Sequence, residues 1–335
     1  MKRIKRIPGL FALLLAAAML CGLLTGCVEN SAAGTDTRPS LEGKTLSVVT
    51  TVFPIYDWTR QIIGGQDELV GLTLLLDKGA DLHSYQPTMQ DVYTISTCDV
   101  FIYIGGESDR WVDDALKQAT NKDMTVICLL DLLGDAAKEE QALEGMEEEE
   151  EEEDGPAYDE HVWLSLRNAQ TLCSGICDAL CRKDPDHSAD YTANLKAYNA
   201  QLAELDQAYT AAVEAAPLRT LLFADRFPFR YLAEDYGLTC YAAFSGCSTE
   251  SEASFETVNF LVNKVDELGL PCVLTLEHGD QRLAQTVISN SKAGNAVILE
   301  LNSLQSVTSE GVSEGITYLG VMQSDLEVLR QALGG

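Results

Sequence analysis

Histidines and carboxylates follow several of the predicted strands of this chain. His83 lies in the loop after one apolar run, and His161 lies in the long acidic loop after another. Asp225 comes directly after "TLLFA" and Glu277 comes directly after "CVLTL". The carboxyl ends of parallel strands meet at one edge of a sheet, so these four side chains are expected to converge. Imidazole and carboxylate groups together suit zinc, manganese or iron(II), and the pattern therefore predicts a metal site.

The other two of the four histidines are weaker candidates. His278 directly follows Glu277 and is a rival to that carboxylate as a ligand. His187 lies between Asp186 and Ser188 at the start of a predicted helix, where a surface position near the helix cap is the simplest prediction. A zinc ion would need a tetrahedral set of such ligands.

Eight apolar runs predict the strands that position these residues. They alternate with segments of helical length, which indicates βα units and mainly parallel sheets. One helical segment, "SDRWVDDALKQAT", begins at Ser108, which is predicted to cap it. The runs are 45–52, 68–76, 99–105, 125–132, 220–225, 238–244, 272–277 and 296–301.

A long amphipathic segment separates two series of these units. Apolar residues from Tyr191 to Val213 recur at intervals of three and four residues, which predicts one long helix. The chain is therefore predicted to be an α/β protein with two lobes, 45–185 and 217–335, joined by a rigid linking helix at 186–216. Open α/β sheets bind ligands beyond the carboxyl ends of their strands, so the metal site is expected in the cleft between the lobes.

The loop at 135–160 is strongly acidic and leads into His161. It contains fourteen acidic residues and one lysine, including the unbroken run at 147–154. The run is either a mobile collar that concentrates divalent cations beside His161 or a solvated insertion that only aids solubility. Val162 and Trp163 are expected to anchor the far end of the loop in the cleft wall.

The N-terminal segment determines the expected compartment. Residues 1–26 combine basic residues with a short apolar stretch, which predicts a signal peptide rather than a membrane span. The following "LLTGC" resembles the lipobox of bacterial lipoproteins, which implies cleavage before Cys27 and lipidation of its sulfur; an ordinary signal peptide is the alternative. Residues 27–44 then form a small, polar tether. We expect lipid anchoring at the extracytoplasmic face of the cell membrane.

The charge of the chain excludes some partners. The 335 residues carry a net charge of −29, and loss of the signal peptide, with four positive charges and no negative ones, brings it to −33. Such an acidic chain argues against nucleic acid as a partner and favours cations.

The ten cysteines do not indicate a disulfide framework. Cys173, Cys177 and Cys181 recur every four residues and are predicted to be small buried residues on one helical face rather than a metal or redox cluster. Cys240 and Cys247 flank an apolar strand and could form a disulfide.

Several motifs resemble those of one family, the zinc/manganese (cluster A-I type) substrate-binding lipoproteins of ABC importers. "LHSYQPT" is similar to the family's H-x-Y-x-P segment, and "YDEHVWLS" is similar to its D-x-H-x-W segment. "RYLAEDYGL" resembles its Y-x-x-x-x-Y-G-L segment, and "EGITYLGVMQSDLEVLRQAL" resembles its terminal helix. The resemblance extends over about 45–333 and implies two α/β lobes, a rigid linking helix and a metal held between the lobes.

The resemblance implies His83 and His161 as the first two ligands. The family's third ligand, a histidine or glutamate, falls on Arg226, whose guanidinium cannot bind a cation, and Asp225 is the expected substitute. Glu277 lies where the family has an acidic residue at the end of a strand and is the expected remaining ligand.

The expected function is capture of a divalent transition metal and its delivery to an ABC permease by a monomeric, non-enzymatic carrier. Zinc is the first expectation, and manganese or iron(II) are the alternatives. Asn302 stands where manganese-binding members have an aspartate, so the ligand set departs from both the zinc and the manganese patterns. A surface-anchored zinc hydrolase with Asp225 as base and an adhesin of the same fold are the alternatives from other classes; the chain contains no HExxH motif and no phosphate loop.

Overall fold

The computed structural model describes residues 44–66, 68–147, 157–248, 252–292 and 294–335. The predicted signal peptide, the predicted lipidation site at Cys27, the predicted tether up to residue 43 and residues 148–156 of the acidic loop lie outside these ranges. No helix in the described part of the chain combines the length and the apolar character needed to cross a membrane.

Strands and helices alternate through both halves of the described chain. The strands are β1 (Leu46–Thr50), β2 (Val70–Leu74), β3 (Val100–Tyr103), β4 (Thr125–Cys128), β5 (Thr220–Phe227), β6 (Thr239–Ser245), β7 (Cys272–Leu276) and β8 (Val297–Leu301). The α-helices are α1 (Phe53–Ile63), α2 (Met89–Thr97), α3 (Val112–Lys117), α4 (Leu129–Leu133), α5 (Leu166–Lys183), α6 (Ser188–Ala215), α7 (Arg230–Tyr236), α8 (Phe255–Leu268), α9 (Arg282–Asn290), α10 (Ser309–Ser313) and α11 (Tyr318–Ala332).

The strands form two four-stranded sheets with the orders β2-β1-β3-β4 and β6-β5-β7-β8. Every strand pair is parallel, and each of the eight predicted apolar runs overlaps one strand, although β5 and β6 extend beyond the predicted ends of their runs. The predicted fold class, two α/β lobes with parallel sheets, is therefore confirmed. Except for β4, which leads directly into α4, each strand ends in a loop, and several of these loops carry residues of the site described below.

Helix α6 links the two lobes, and its apolar stripe explains its length. Six of its side chains are buried: Tyr191, Tyr198, Leu202, Leu205, Tyr209 and Val213. They belong to a core that continues from the first lobe into the second, and α6 packs on α1, α5 and α11. Burial of each large apolar side chain contributes about 1.5–3 kcal/mol, so the stripe fixes the helix on both lobes.

Hydrogen bonds between distant segments join the lobes beside the linking helix. The Tyr318 hydroxyl donates to the Trp163 carbonyl at 2.6 Å, and the Tyr318 backbone N–H donates to Asp57 Oδ2 at 2.8 Å. The Trp163 indole N–H donates to the Ser303 carbonyl at 2.8 Å. Helix α11 therefore returns to the first lobe, and Trp163 is buried between the lobes together with Val162, as predicted.

One local prediction is wrong, and one open alternative is decided. Helix α3 begins at Val112 without a side-chain cap, so Ser108 lies outside the helix and its hydroxyl is available for another contact. The disulfide that Cys240 and Cys247 could have formed is not present, and both are free thiols. On α5, by contrast, Cys173 and Cys177 are buried as small apolar residues, as predicted.

Candidate metal centre

His161 is oriented by the aspartate two residues before it. Both its backbone N–H and its ring Nδ1 lie 2.9 Å from Asp159 Oδ1, and the ring is fully buried. An ionised carboxylate only accepts, so Nδ1 carries the proton and the lone pair of Nε2 points away from Asp159. The Tyr231 hydroxyl donates to the Asp159 carbonyl at 3.0 Å and accepts the Lys138 backbone N–H at 2.9 Å, which holds this segment in place.

His83 is held in a short 3₁₀ turn after β2. Its backbone N–H donates to Asp81 Oδ1 at 3.0 Å, and its ring Nδ1 lies 2.8 Å from Ser108 Oγ. Burial, together with the nearby His161 ring, lowers the pKa of His83 to about 3. The neutral imidazole is the form that binds metal, so His83 is poised as a ligand.

The two imidazoles meet through their Nε2 atoms, which are 3.2 Å apart. Zn–N bonds of about 2.0–2.1 Å in a tetrahedral site place two nitrogen ligands about 3.3–3.4 Å apart. The separation of His83 Nε2 and His161 Nε2 therefore already matches two corners of a zinc tetrahedron. Each Nδ1 has its own partner, so both Nε2 atoms can face a shared cation.

A third potential ligand, Cys247, joins these histidines. One ligand atom from each of His83, His161 and Cys247 lies within 4.8 Å of the other two. Cys247 follows the carboxyl end of β6, and its backbone N–H donates to Glu140 Oε1 at 3.3 Å. Burial raises the pKa of the Cys247 thiol well above its ordinary value, and Glu140 raises it further.

Gly246 allows the turn that carries Cys247 to approach His161. A Cβ atom at this position would lie 2.9 Å from the Phe227 carbonyl oxygen and 3.0 Å from His161 Cε1. Such contacts are too short for a side chain, so the close approach depends on glycine.

Glu160 fills the space on the other side of His83. Its Oε1 accepts the Ser108 backbone N–H at 2.8 Å, and its Oε2 lies 3.6 Å from His83 Nδ1. Burial raises the pKa of Glu160 to about 7. Gly106 has a φ of +83°, and a Cβ there would lie 2.4 Å from Glu160 Oε1, so only glycine leaves room for this carboxyl group.

The two predicted carboxylate ligands lie outside the three-residue cluster that the described residues form. Asp225 Oδ1 accepts the Arg226 backbone N–H at 2.8 Å, and Oδ2 accepts the Leu276 backbone N–H at 3.0 Å. Glu277 accepts the backbone N–H and the hydroxyl of Ser303, each at 2.7 Å. Both carboxylates thus hold loops at the strand ends, and neither belongs to the cluster of His83, His161 and Cys247, although Asp225 lines the same cleft as His83.

Arg226 crosses the cleft between the lobes. Its guanidinium donates to Asp81 Oδ2 at 2.7 Å, beside a cleft of about 430 Å³ that residues of both lobes line, among them His83 and Asp225. An extra residue in β5 between Phe223 and Arg226 forms a bulge, which changes the direction of the side chains that follow it. The bulge explains why Arg226 rather than Asp225 reaches the opposite lobe.

The remaining histidines lie apart from the cluster. His278 is exposed and has a φ of +61° in the loop after β7. His187 lies directly before α6, where its Nδ1 is 2.8 Å from Asp184 Oδ2, so the prediction of a surface position at a helix start is confirmed.

Cys247 is not among the ligands predicted from the sequence, although the signal that indicates the other ligands applies to it. The residue lies just beyond the end of a predicted strand, as do His83 and Asp225. The position of Cys247 near Cys240 indicates only a possible disulfide between the two residues.

The chain is similar to known zinc-uptake proteins. The model of the family described as zinc-uptake complex component A, periplasmic, matches residues 48–332. The zinc-binding protein AdcA of Streptococcus pyogenes is 30% identical over 297 residues, which are 86% of this chain and 56% of that protein. This chain thus spans about half of the length of that relative.

Two further proteins match over nearly their whole length. The high-affinity zinc uptake system protein ZnuA of Bacillus subtilis is 29% identical over 335 residues, 98% of each chain. The crystal structure of the Zn(II)-bound ZnuA-like domain of Streptococcus pneumoniae AdcA matches with a TM-score of 0.68 and 29% identity, over 88% of this chain and 100% of that one.

Proposed function

Because this chain belongs to the family of zinc-uptake complex component A, we propose that it captures a zinc ion between its lobes and delivers it to an ABC permease. The observation that carries the proposal is the 3.2 Å separation of His83 Nε2 and His161 Nε2, with each Nδ1 already engaged. Two imidazoles arranged in this way bind a transition ion without rearrangement of the rings, and such preorganisation favours high affinity.

The proposal is tested by metal content and competitive titration. The purified domain of residues 28–335 should hold one zinc ion, and His83→Ala and His161→Ala should each abolish tight binding. His187→Ala and His278→Ala are matched controls, since both remove an imidazole outside the cluster, and they should retain zinc. A wild-type protein that holds no metal tightly would refute the proposal.

Thermal unfolding gives an independent measure of the same binding. A ligand present at 100 times its Kd stabilises the folded state by about 2.7 kcal/mol, so a chelator should lower the Tm of the wild type. The Tm of His83→Ala should not respond to the chelator.

The same experiments separate the carrier from the other classes of function. The relatives reported above have names that denote metal binding and uptake, which supports a non-enzymatic role. A G-x-S-x-G pentapeptide does occur at 311–315, but it lies at the end of α10, and its Ser313 hydroxyl donates to the Glu310 carbonyl at 2.7 Å. A hydrolase would lose turnover on substitution of His83 or His161, whereas an adhesin would still bind its partner.

Membrane anchoring at the extracytoplasmic face, as a monomer, is part of the proposal. It is supported by the "LLTGC" segment and by the small, polar residues that follow it. Cys27→Ser should release the protein from the cell surface into the medium, and Cys21→Ser, which changes a cysteine within the predicted signal peptide, should leave it attached. Equal retention of both variants would contradict lipidation at Cys27.

A further inference from the structure

We propose that the sulfur of Cys247 is the third protein ligand of this site and that it makes the cleft selective for thiophilic divalent ions, zinc and cadmium, over manganese. The inference rests on the proposed capture of a metal by His83 and His161. It adds a ligand from the second lobe, so that the ion joins the two lobes.

The geometry brings the sulfur within reach of the ion. The potential ligand atoms of His83, His161 and Cys247 lie within 4.8 Å of one another before any metal is considered. With Zn–S at about 2.3 Å and Zn–N at about 2.0–2.1 Å, sulfur and nitrogen ligands of a tetrahedral site are about 3.5 Å apart. A small inward movement of the turn at Gly246 is therefore enough to form the bond.

The ligand position that Cys247 supplies is not filled by the neighbouring candidates. Arg226 is paired with Asp81 across the cleft. The carboxylates of Asp225 and Glu277 accept backbone N–H groups at the strand ends. Cys247 forms no disulfide, so its sulfur is available for a metal.

The chemistry of the sulfur determines which ions the site prefers. Thiolate is a soft ligand that zinc binds readily, whereas manganese(II) prefers carboxylate, carbonyl and water oxygens. Binding breaks the S–H bond of Cys247, releases the proton to solvent and forms the metal–sulfur bond, so the step needs no oxidant or reductant. Two imidazoles and one thiolate leave a fourth tetrahedral position open for water or for another group.

Cobalt(II) reports the sulfur ligand directly. Cobalt-loaded wild-type protein should show the near-ultraviolet charge-transfer absorption of a cobalt–thiolate bond, and Cys247→Ser should lack it. Cys240→Ser is the matched control, because Cys240 is a buried free thiol on the preceding strand, and it should retain the band.

Competition between metals tests the selectivity. Cys247→Ser should weaken zinc binding by more than about tenfold, since even loss of an outer contact to a ligand costs 10–100-fold. Its affinity for manganese should change much less, so the preference for zinc over manganese should fall. Circular dichroism of the metal-free variants checks that each remains folded.

X-ray absorption at the zinc edge of the wild type needs no variant. A sulfur neighbour at about 2.3 Å supports the inference, and a shell of nitrogen and oxygen alone overturns it. Tight zinc binding by the wild type without that sulfur, or with full affinity in Cys247→Ser, would refute the inference and leave the proposed function standing. Absence of tight zinc binding in the wild type would refute the proposed function itself.

Discussion

At the residue scale, Asp159 decides which nitrogen of His161 faces the cleft. Its carboxylate receives both the backbone and the ring N–H of that residue, so the ring is fixed in one tautomer and one orientation. Ser108 has the corresponding place beside His83, but a hydroxyl both donates and accepts, so it adapts to either tautomer of that ring. The two histidines are therefore constrained to different degrees.

Asp159→Asn should weaken zinc binding by about 10–100-fold with unchanged stoichiometry, because an amide can offer its N–H to Nδ1 and so allow the wrong tautomer. Chelator competition measures the effect. Asp184→Asn breaks the comparable contact of the surface residue His187 and should leave zinc affinity unchanged. Equal affinities of wild type and Asp159→Asn would show that the carboxylate does not orient the ligand.

Asp325 makes the stability of the second lobe depend on pH. Its Oδ1 accepts the Asn302 N–H at 3.0 Å, and its Oδ2 is buried with no hydrogen-bond partner among the described groups. Burial, together with the nearby Glu277 and Glu300, raises the pKa of Asp325 to about 8. Between about pH 4 and pH 8, the carboxyl group of Asp325 therefore keeps its proton in the folded state. In the unfolded chain, where its pKa is about 3.9, it has lost that proton.

The contribution of Asp325 to the free energy of unfolding of the metal-free protein should consequently fall as pH rises from about 4 to about 8. Asp325→Asn has no ionisable group at this position and should flatten this pH dependence. The free energy of unfolding of the variant should therefore exceed that of the wild type by an amount that grows as pH rises. Urea unfolding at several pH values in this range measures the free energy of unfolding of the wild type and the variant. Asp113→Asn, which removes an exposed carboxylate, serves as the control. Parallel curves for wild type and Asp325→Asn would contradict the assignment.

At the scale of single elements, the turn after β6 determines whether the third ligand reaches the histidines. Gly246→Ala should weaken zinc binding by on the order of tenfold, because the added Cβ pushes the turn or the His161 ring away, and ligand sets tolerate displacements of only about 0.5 Å. Isothermal titration provides the affinity. Gly65→Ala adds the same methyl group where no atom lies within 4 Å and should bind zinc normally. Normal binding by both variants would mean that the turn adapts.

The elements also show which features could be predicted from the sequence. Apolar runs identified every strand, because a parallel strand covered on both faces must be apolar throughout. The same reasoning placed His83 and His161 at the strand ends. The bulge in β5 has no comparable signal, because the apolar pattern of a strand does not show where one extra residue changes the direction of the side chains that follow it.

Ser108 was misassigned for a related reason. A serine before a helical segment is a typical cap, but the helix begins only at Val112, and the residues between form a turn around Asp109. Asp109 Oδ2 accepts the backbone N–H groups of Ile104 and Gly105, which stabilises this turn. Local helix propensity cannot reveal that the Ser108 hydroxyl lies in hydrogen-bond contact with the ring of His83, which comes from another loop.

At the scale of the whole molecule, the acidic loop is attached to both lobes. The described segments of the loop on either side of the central acids are paired, because the Glu140 backbone N–H donates to the Ala157 carbonyl at 2.7 Å. The Glu147 backbone N–H donates to the carbonyl of Ala243 in β6 at 2.9 Å, which attaches the loop to the second lobe. The central acids lie outside the described residues.

Replacement of Glu148 to Glu153 by glutamine should leave the equilibrium affinity for zinc unchanged and should slow zinc association, most strongly at low ionic strength. The physical reason is attraction of the cation by the acidic run, which salt screens over a Debye length of about 10 Å at 0.1 M. Stopped-flow measurements at several salt concentrations test this. The double variant Glu204→Gln and Glu214→Gln on α6 is the control. Identical rates for both variants would identify the run as a solvated insertion.

The shared strand order of the two sheets has a consequence for the history of the site. β2 and β6 occupy the same place in their sheets, and His83 follows one while Cys247 follows the other. Duplication of a single ancestral half would place two such loops opposite each other by symmetry alone. In such an ancestry, the imidazole at 83 and the sulfur at 247 are counterparts, and one substitution in one copy is enough to change the metal that the pair prefers.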